Sequence, residues 1–577
     1  MKQSDSSVIY PFRRKLIISF FVIVSGLLAW RAIHLQVLNR EYLRGKGDAK
    51  SLHVIDIPAH RGMITDRNNE PLAISTPVES IMANPKQVLS RPEFIPALAK
   101  MLDMESVSLI QLLKERYGRN AIYLKRRALP EQAQAIMNLS VPGVSQKQEF
   151  KRYYPAGEVI AQLIGFTNID DTGQEGVELA YETWLKGVPG EKQVLKDRLG
   201  RVVKDVESIK PSNPGKTLAL SIDKRVQYLA YRELASAVRA NHARSGSAVM
   251  LDSKTGEVIA VAVYPSYNPN NRTGVKSEHF RNRAITDVFE PGSTLKPFTM
   301  AAALMSGMFD MKTIIDTNPG QLKVSYHTIR DVHNYGVLDL TGIIQKSSNV
   351  GAAKIALALG SKPLWQVLQD VGFGVQTSSG FPGESPGRLY NYANWTELDL
   401  ASVAFGHSMA VTTLQLAQGY SVIASGGILH PVTFQKAVAA DPGTRVLPEE
   451  ICAKIMTMLE KVVEPGGTAQ RANVPLYRVA GKTGTAHKST SSGYSEDKYL
   501  SLFAGMAPVS DPQLVLVVVI DEPQGGEYFG GLVAAPVYSS VMQGALRILD
   551  IAPDKIPDIK TTLLMADKAT QIQPKTR

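Results

Sequence analysis

The segment that most constrains this chain is an apolar run close to its N-terminus. No charged residue occurs between Leu16 and Trp30, and apolar residues continue on both sides of Arg31 up to Val37. A helix needs about 20 apolar residues to cross a bilayer, and an arginine near its end can extend to the headgroups. We therefore predict a membrane anchor over residues 16–38.

The flanking residues indicate the orientation of this anchor. Arg13, Arg14 and Lys15 precede the run, so the positive-inside rule places residues 1–15 in the cytoplasm as a short tail and the bulk of the chain beyond the membrane. The alternative is a cleaved signal peptide. Ala29-Trp30-Arg31 places a bulky residue where a cleavage site needs a small one, which favours an uncleaved anchor.

Composition bounds the remaining possibilities. The chain has 577 residues, enough for two or more domains, and a net charge of +11. A basic surface suits anionic lipids, anionic polymers or nucleic acid, but no nucleic-acid motif is present, so we expect no nucleic-acid partner. Cys452 is the single cysteine, which excludes an internal disulfide, and its spacing with apolar neighbours predicts a core position.

A composition break at residues 210–217, KPSNPGKT, marks the main domain boundary. We predict an N-terminal module over 50–210 and a second domain over 217–553. The polar, lysine-rich residues 556–577 are typical of a disordered tail.

Periodicity predicts an α+β fold. In the N-terminal module, ITDRNNEPLAI reads as strand, turn and strand, and residues 93–140 read as helical. The second domain opens with a strand, a long helix and a hairpin that turns at residues 254–256. Helices then dominate to about residue 475, three strands follow, and a helix closes the domain. Strands at both ends of a domain with helices between them favour an antiparallel sheet covered by helices.

The first chemical motif is S-x-x-K at Ser293 and Lys296, within FEPGSTLKPF. Residues three apart share one face of a helix, so the lysine amine can contact the serine hydroxyl. A desolvated lysine near other cations can lose its proton and activate the serine as a nucleophile. The alternative is an ordinary helix start, with serine as N-cap and lysine on the surface.

Two further motifs follow in the same domain. Ser347 and Asn349 form S-x-N before a helical run, where a hydroxyl can relay a proton and a carboxamide can hold a substrate amide. Lys482, Thr483, Gly484 and Thr485 lie on a predicted strand, with hydroxyls and a charge that suit a carboxylate and a glycine that lets a ligand approach. Each motif also has an ordinary structural interpretation, and K-T-G recurs at residues 254–256.

Together, the order S-x-x-K, S-x-N and K-T-G resembles that of penicillin-binding proteins and serine β-lactamases. RGMITDRNNEPLA, RYYPAGEV, GQEGVELAYE and NRAITDVFEPGSTLKPF extend the resemblance to class B penicillin-binding proteins along nearly the whole chain, and VFEPGSTLKP is most similar to the septal type. Asn69 replaces the usual glycine of the first signature, and asparagine tolerates a left-handed conformation. The resemblance implies a C-terminal penicillin-binding or serine β-lactamase-like domain and an elongated, non-catalytic module of the pedestal or dimerisation type.

The resemblance also implies an activity, a D-alanyl-D-alanine transpeptidase that needs no metal or cofactor. Ser293 would attack the peptide carbonyl, Lys296 would take its proton, and Ser347 would pass a proton to the leaving D-Ala with help from Lys482. Backbone N–H groups of Ser293 and Thr485 would form the oxyanion hole. Asn349, Thr483, Gly484 and Thr485 would bind the substrate, and β-lactams would stall at the acyl-enzyme.

One departure from the family pattern concerns the rim of the site. Family members often read Y/F-G-x-G before VTPLQ, whereas this chain reads FGHSMAVTTLQ. Phe405, His407 and Ser408 are therefore candidate rim residues, with a bulkier residue at 408 than the glycine expected there.

By the same resemblance, the partners are peptidoglycan stem peptides, β-lactams, the membrane, a lipid II glycan polymerase and other division proteins. The catalytic domain would lie in the bacterial periplasm on a single-pass inner-membrane anchor. Two alternatives remain at this point: a hydrolase of the DD-carboxypeptidase or β-lactamase type, and a membrane-tethered division scaffold or β-lactam sensor.

Overall fold

The computed structural model describes residues 11–196, 202–439, 441–490 and 493–555. Most of the predicted cytoplasmic tail and all of the predicted C-terminal tail, residues 556–577, lie outside them. The chain groups into two compact units. The smaller unit comprises Met1–His60, Pro77–Lys151 and Gly187–Pro214, and the larger comprises Arg61–Thr76, Arg152–Lys186 and Gly215–Arg577. The larger unit thus includes two segments that the predicted boundaries assign to the N-terminal module.

The strands, in chain order, are β1 (Leu52–Ile57), β2 (Ile64–Thr65), β3 (Pro71–Ala83), β4 (Ile122–Ala128), β5 (Val144–Tyr153), β6 (Gly190–Lys196), β7 (Val202–Lys210), β8 (Leu218–Ala219), β9 (Ser245–Asp252), β10 (Val258–Tyr264), β11 (Ile314–Asp316), β12 (Gln321–Val324), β13 (His327–Arg330), β14 (Val337–Asp339), β15 (Ile428–Leu429), β16 (Thr444–Arg445), β17 (Ala480–Thr490), β18 (Gly493–Ala507) and β19 (Leu514–Asp521).

The α-helices are α1 (Pro11–Ile33), α2 (Arg40–Ser51), α3 (Pro85–Leu89), α4 (Ile95–Met101), α5 (Ser106–Glu115), α6 (Pro130–Asn138), α7 (Ala161–Ile164), α8 (Gly176–Ala180), α9 (Glu182–Leu185), α10 (Lys224–Ala240), α11 (Arg283–Thr286), α12 (Lys296–Met305), α13 (Leu340–Lys346), α14 (Asn349–Leu359), α15 (Ser361–Asp370), α16 (Glu397–Val403), α17 (Thr413–Ala424), α18 (Glu449–Val463) and α19 (Gly530–Ile548).

The predicted anchor lies on a continuous helical segment. A π-helical turn, His34–Leu38, extends α1, and Pro11–Leu38 is the one helix of the described chain that is long and apolar enough to cross a membrane. Its side chains are open to the surroundings, and Phe20, Phe21 and Leu27 are each more than 60% exposed. Such an apolar surface is unfavourable in water and suits a lipid environment.

The smaller unit contains two packed regions. Strand β6 pairs antiparallel with both β1 and β7. A separate apolar core includes Ile81, Leu98 and Leu109. The prediction of helix across residues 93–140 is wrong at β4, because this segment pairs with β3, a partner far away in the chain.

The larger unit is built on a five-stranded antiparallel sheet, in the order β10-β9-β19-β18-β17. In both β9 and β19, every residue except the last is buried, so both faces of these central strands are covered. Helices α10 and α19 pack against each other and against the sheet, and α17 and α18 also contact its strands. The predicted α+β class, an antiparallel sheet covered by helices, is confirmed.

Two features of the larger unit bear on the sequence motifs. Strand β17, which contains residues 482–485, lies at the edge of the sheet, where its free side can meet a ligand backbone. In the turn between β2 and β3, Asp66 Oδ1 accepts the N–H groups of Asn68 and Glu70, both at 2.8 Å. Asn69 there has φ +66°, the left-handed conformation expected for it.

Candidate active site

Ser293 lies in a 3₁₀ turn, Gly292–Leu295, that leads directly into α12. Gly292 has φ +53°, and its N–H donates to Gly406 O at 3.0 Å. A backbone bridge between Phe289 and Val411 holds the approach to this turn. The serine is thereby presented at a helix start that is fixed from a neighbouring segment.

Lys296 is fully buried, and its amine lies among oxygen atoms of the S-x-x-K and S-x-N motifs. Lys296 Nζ is 2.9 Å from Ser293 Oγ, 2.6 Å from Ser347 O and 2.7 Å from Asn349 Oδ1. Burial, and then the charge of Lys482, hold the pKa of Lys296 well below its usual value, and the Asp331 carboxylate opposes them. A neutral amine within hydrogen-bond reach of a hydroxyl is able to accept its proton.

Ser347 joins the two lysines. It ends α13 with φ +62°, a left-handed conformation that places its hydroxyl between them. Lys482 Nζ is 2.8 Å from Ser347 Oγ, and Lys296 Nζ is 3.2 Å from the same oxygen. Lys482 is also fully buried, and this burial lowers its pKa to about 7. The cluster can therefore gain or lose a proton near neutral pH.

Asp331 organises the S-x-N segment, and sequence reasoning missed it. Its carboxylate accepts the Ser348 hydroxyl at 2.6 Å and the Val350 N–H at 3.0 Å, and it also accepts the N–H of Asn349. Asn349 Nδ2 donates to Arg330 O at 3.0 Å. The start of α14 is thus tied to the last residue of β13 and to Asp331, which follows it. No local sequence signal marks Asp331, because its partners lie 17 to 19 residues further along the chain.

The K-T-G segment lies beside the serine turn. A Cβ on Gly484 would lie 3.0 Å from Thr294 Cγ2 and 3.1 Å from Pro291 O, so only glycine fits there without displacing the turn. Thr485 Oγ1 accepts the N–H of Gly530 at 3.0 Å, and Thr483 Oγ1 lies 2.9 Å from Thr468 Oγ1.

Two of the rim residues, His407 and Ser408, meet at Glu290, which sequence reasoning also missed. Its carboxylate contacts His407 Nδ1 at 2.8 Å and accepts the Ser408 N–H at 3.1 Å and the Tyr494 hydroxyl at 3.0 Å. Burial, and then the charge of Glu290, raise the pKa of Tyr494. Ser408 has φ +59°, a left-handed conformation that glycine adopts more readily than serine. This conformation fits the glycine that the family pattern has at this position.

A groove of about 350 Å³ opens beside this cluster, and its lining includes Asn349, Phe405, His407 and Tyr494. The structure therefore brings Ser293, Lys296, Ser347, Asn349 and Lys482 into direct contact. It places Thr483, Gly484 and Thr485 on the adjoining strand, and Phe405 and His407 on the groove. Ser408 meets Glu290 through its backbone.

Comparisons with known proteins agree with this geometry. Residues 246–543 match the family described as the penicillin binding protein transpeptidase domain, and residues 56–220 match the penicillin-binding protein dimerisation domain. The chain belongs to the penicillin-binding protein transpeptidase family, so the resemblance predicted from the motifs is confirmed.

Individual relatives are similar along most of the chain. A probable peptidoglycan D,D-transpeptidase PbpC of Pseudomonas aeruginosa is 44% identical over 95% of this chain and 97% of its own length. Peptidoglycan D,D-transpeptidase FtsI of Escherichia coli K12 is 43% identical over 96% and 95%. Among solved structures, the transpeptidase domain of Burkholderia pseudomallei penicillin-binding protein 3 is 40% identical, covers 59% of this chain and 98% of its own, and has a TM-score of 0.54.

Proposed function

We propose that this protein is a peptidoglycan D,D-transpeptidase that crosslinks stem peptides through a serine acyl-enzyme and is inhibited covalently by β-lactams. The observation that carries the proposal is the fully buried Lys296 amine, 2.9 Å from Ser293 Oγ. Family membership supports peptidoglycan stem peptides as the substrate class. The proposed substrate ends in D-Ala-D-Ala.

In the acylation step, Ser293 Oγ attacks the carbonyl between the two D-Ala residues while Lys296 takes the hydroxyl proton. The oxyanion accepts hydrogen bonds from the N–H groups of Ser293 and Thr485. The C–N bond then breaks, and Ser347 delivers a proton to the departing D-Ala amine. Lys482, 2.8 Å from Ser347 Oγ, replenishes that proton.

Substrate binding uses the edge of the sheet and the S-x-N segment. Asn349 holds the amide of the acyl donor, and the hydroxyls of Thr483 and Thr485 hold its terminal carboxylate beside Lys482. Gly484 lets the turn that carries Ser293 pack closely on β17, next to these hydroxyls. Phe405, His407 and Ser408 form the rim on the side of the groove. An amine from a neighbouring stem peptide resolves the ester and completes the crosslink.

Mass spectrometry after treatment with benzylpenicillin tests this proposal. We expect a long-lived adduct on the peptide that contains Ser293, and no adduct in Ser293→Ala. Rapid loss of the adduct with release of hydrolysed drug would favour a β-lactamase-type hydrolase instead. A D-Ala-D-Ala substrate offered with an amine acceptor separates a transpeptidase from a carboxypeptidase, because only the former transfers the acyl group to the amine.

We also propose a location and an organisation for the chain. Residues 16–38 anchor it in the bacterial inner membrane, residues 50–210 form the non-catalytic module, and residues 217–553 form the transpeptidase domain in the periplasm. A glycan polymerase that uses lipid II and other division proteins are the proposed partners. Protease added to spheroplasts should degrade the domain; protection from protease would contradict this orientation. A scaffold role predicts instead that Ser293→Ala still supports cell division.

A further inference from the structure

Thr468 lies outside the three motifs, yet its hydroxyl meets the K-T-G segment. Thr468 Oγ1 is 2.9 Å from Thr483 Oγ1, and Lys482 Nζ is 3.4 Å from the same Thr483 oxygen. A hydroxyl has one proton and two acceptor lone pairs. When both Thr468 and Lys482 donate to Thr483, the lone pairs of Thr483 are occupied and its own proton is directed to a third group.

Thr485 carries the other hydroxyl of this segment, and its oxygen also accepts a hydrogen bond from within the protein. Its Oγ1 accepts the N–H of Gly530, the first residue of α19. Phe529, the residue at the N-cap of that helix, provides no side-chain cap, and Thr485 accepts one of the N–H groups at the helix start that have no partner within the helix. The proton of Thr485 is therefore also available to a ligand.

Thr468 is held in place although its side chain is exposed. The Ala469 N–H donates to Val462 O at 3.0 Å, and Lys346 Nζ donates to Gly466 O at 3.0 Å. On the other side, a Cβ on Gly531 would lie only 2.2 Å from Thr468 O, which shows how closely α19 packs on this loop. The Thr468 hydroxyl is thus positioned before any ligand arrives.

We propose that Thr468 is a positioning residue for the anionic end of the acyl donor, acting through the hydroxyl of Thr483. In the bound state, Thr468 donates to Thr483, and Thr483 donates to the carboxylate. Hydrogen bonds in such a chain strengthen one another, and those to an anion are stronger than neutral ones. The inference rests on the proposed function, since it names a residue that serves the same carboxylate.

The test compares benzylpenicillin with its methyl ester, which lacks the negative charge of the carboxylate, by the rate at which each acylates Ser293. Thr468→Val removes the hydroxyl and keeps the shape of the side chain. We expect acylation by the acid to slow about 10-fold and acylation by the ester to change less than about 2-fold. Thr468→Ser should restore the rate with the acid. Thr457→Val, on the exposed side of α18, is the matched control and should leave both rates unchanged.

Two further variants separate positioning from a structural or a direct role. Gly531→Ala should displace Thr468 and reproduce the loss that is selective for the acid. In Thr468→Val/Thr483→Val, the acid should react no more slowly than in Thr483→Val alone, because Thr468 acts through Thr483. Equal losses with acid and ester, or additive losses in the double variant, would overturn the inference. If the unchanged protein forms no adduct with either ligand, the proposed function itself fails.

Discussion

The tripeptide Lys-Thr-Gly occurs twice in the larger unit, in opposite settings. Lys254, Thr255 and Gly256 form the turn between β9 and β10, and Lys254 Nζ lies 2.7 Å from Asp511 with its side chain 52% exposed. Lys482, Thr483 and Gly484 lie within the edge strand β17, and Lys482 is fully buried against Ser347. The same three residue types thus form a surface turn in one place and the wall of a site in the other.

The difference shows that burial and register, rather than the tripeptide itself, create the chemistry. Desolvation lowers the pKa of Lys482 to about 7, so this amine can exchange a proton near neutral pH. Lys254 lies beside a carboxylate at the solvent-exposed surface, where an ion pair contributes little. The two copies therefore provide matched variants in one molecule.

The largest expected effect separates the two lysines. Lys482→Ala removes the amine next to Ser347 and the positive charge beside the hydroxyls of Thr483 and Thr485, which we propose bind the carboxylate. We expect the second-order rate of acylation by benzylpenicillin to fall about 100-fold or more. Lys254→Ala should stay within about 2-fold of the unchanged protein. Similar losses in both variants would show that the comparison does not hold.

The two glycines should differ in stability. Gly256 has φ +73°, and a Cβ there would lie 2.3 Å from Pro431 O, so Gly256→Ala should lower the free energy of unfolding by about 2 kcal/mol. Gly484→Ala should cost less stability, because its closest contact is 3.0 Å, to a side-chain methyl group. It should nevertheless slow acylation, since that methyl belongs to Thr294, next to Ser293. Urea unfolding should show the larger loss of stability in Gly256→Ala, and acylation rates should show slower acylation in Gly484→Ala.

Asp331→Asn tests the electrostatics around Lys296. The carboxylate raises the pKa of Lys296 against burial and the charge of Lys482, so its removal should lower that pKa further. Lys296 then stays neutral to a lower pH, and the acid limb of the acylation rate should shift to lower pH. The plateau should fall about 10-fold, because Ser348 and the start of α14 lose their charged acceptor. A pH profile of acylation measures both effects.

The matched control is Asp511→Asn, beside the other copy of the tripeptide. It should leave the acid limb and the plateau unchanged. A shift of the limb to higher pH in Asp331→Asn would contradict the assignment of Lys296 as the base, because loss of a neighbouring anion cannot favour the protonated amine.

The sequence predicted the parts of the site that are local in the chain. S-x-x-K works within one helical turn, and K-T-G works within one strand, so residue spacing alone suggests their geometry. The family signature even indicated the left-handed conformation of Asn69. The central sheet was predictable for the same reason, since its hairpin and its buried strands are continuous apolar runs.

What the sequence did not predict depends on contacts between distant segments. Glu290 and Tyr494 are 204 positions apart in the chain. Thr468 and Thr483 are 15 positions apart, the first in a loop and the second in strand β17. Strand β4 was predicted as helix because its partner β3 lies some 40 residues earlier. A single sequence gives no signal for such pairs, because ordinary acids, tyrosines and threonines fill many surface positions.

The smallest expected effect concerns the ion pair at the surface turn, and it sets the lower end of the comparison. Lys254 Nζ and Asp511 are close, but their side chains are 52% and 62% exposed, so water and salt screen their attraction. Lys254→Met should therefore change the free energy of unfolding by no more than about 0.5 kcal/mol.

Lys482→Met, by contrast, should raise the free energy of unfolding by about 1 kcal/mol or more at pH 7. A buried amine of lowered pKa favours the unfolded state, because the unfolded state binds the proton of this amine more tightly. Denaturation at pH 7 and pH 9 checks the sign: the gain should shrink as pH rises towards the ordinary lysine value. A gain that is equal for both lysines, or one that grows with pH, would show that burial does not distinguish the two copies.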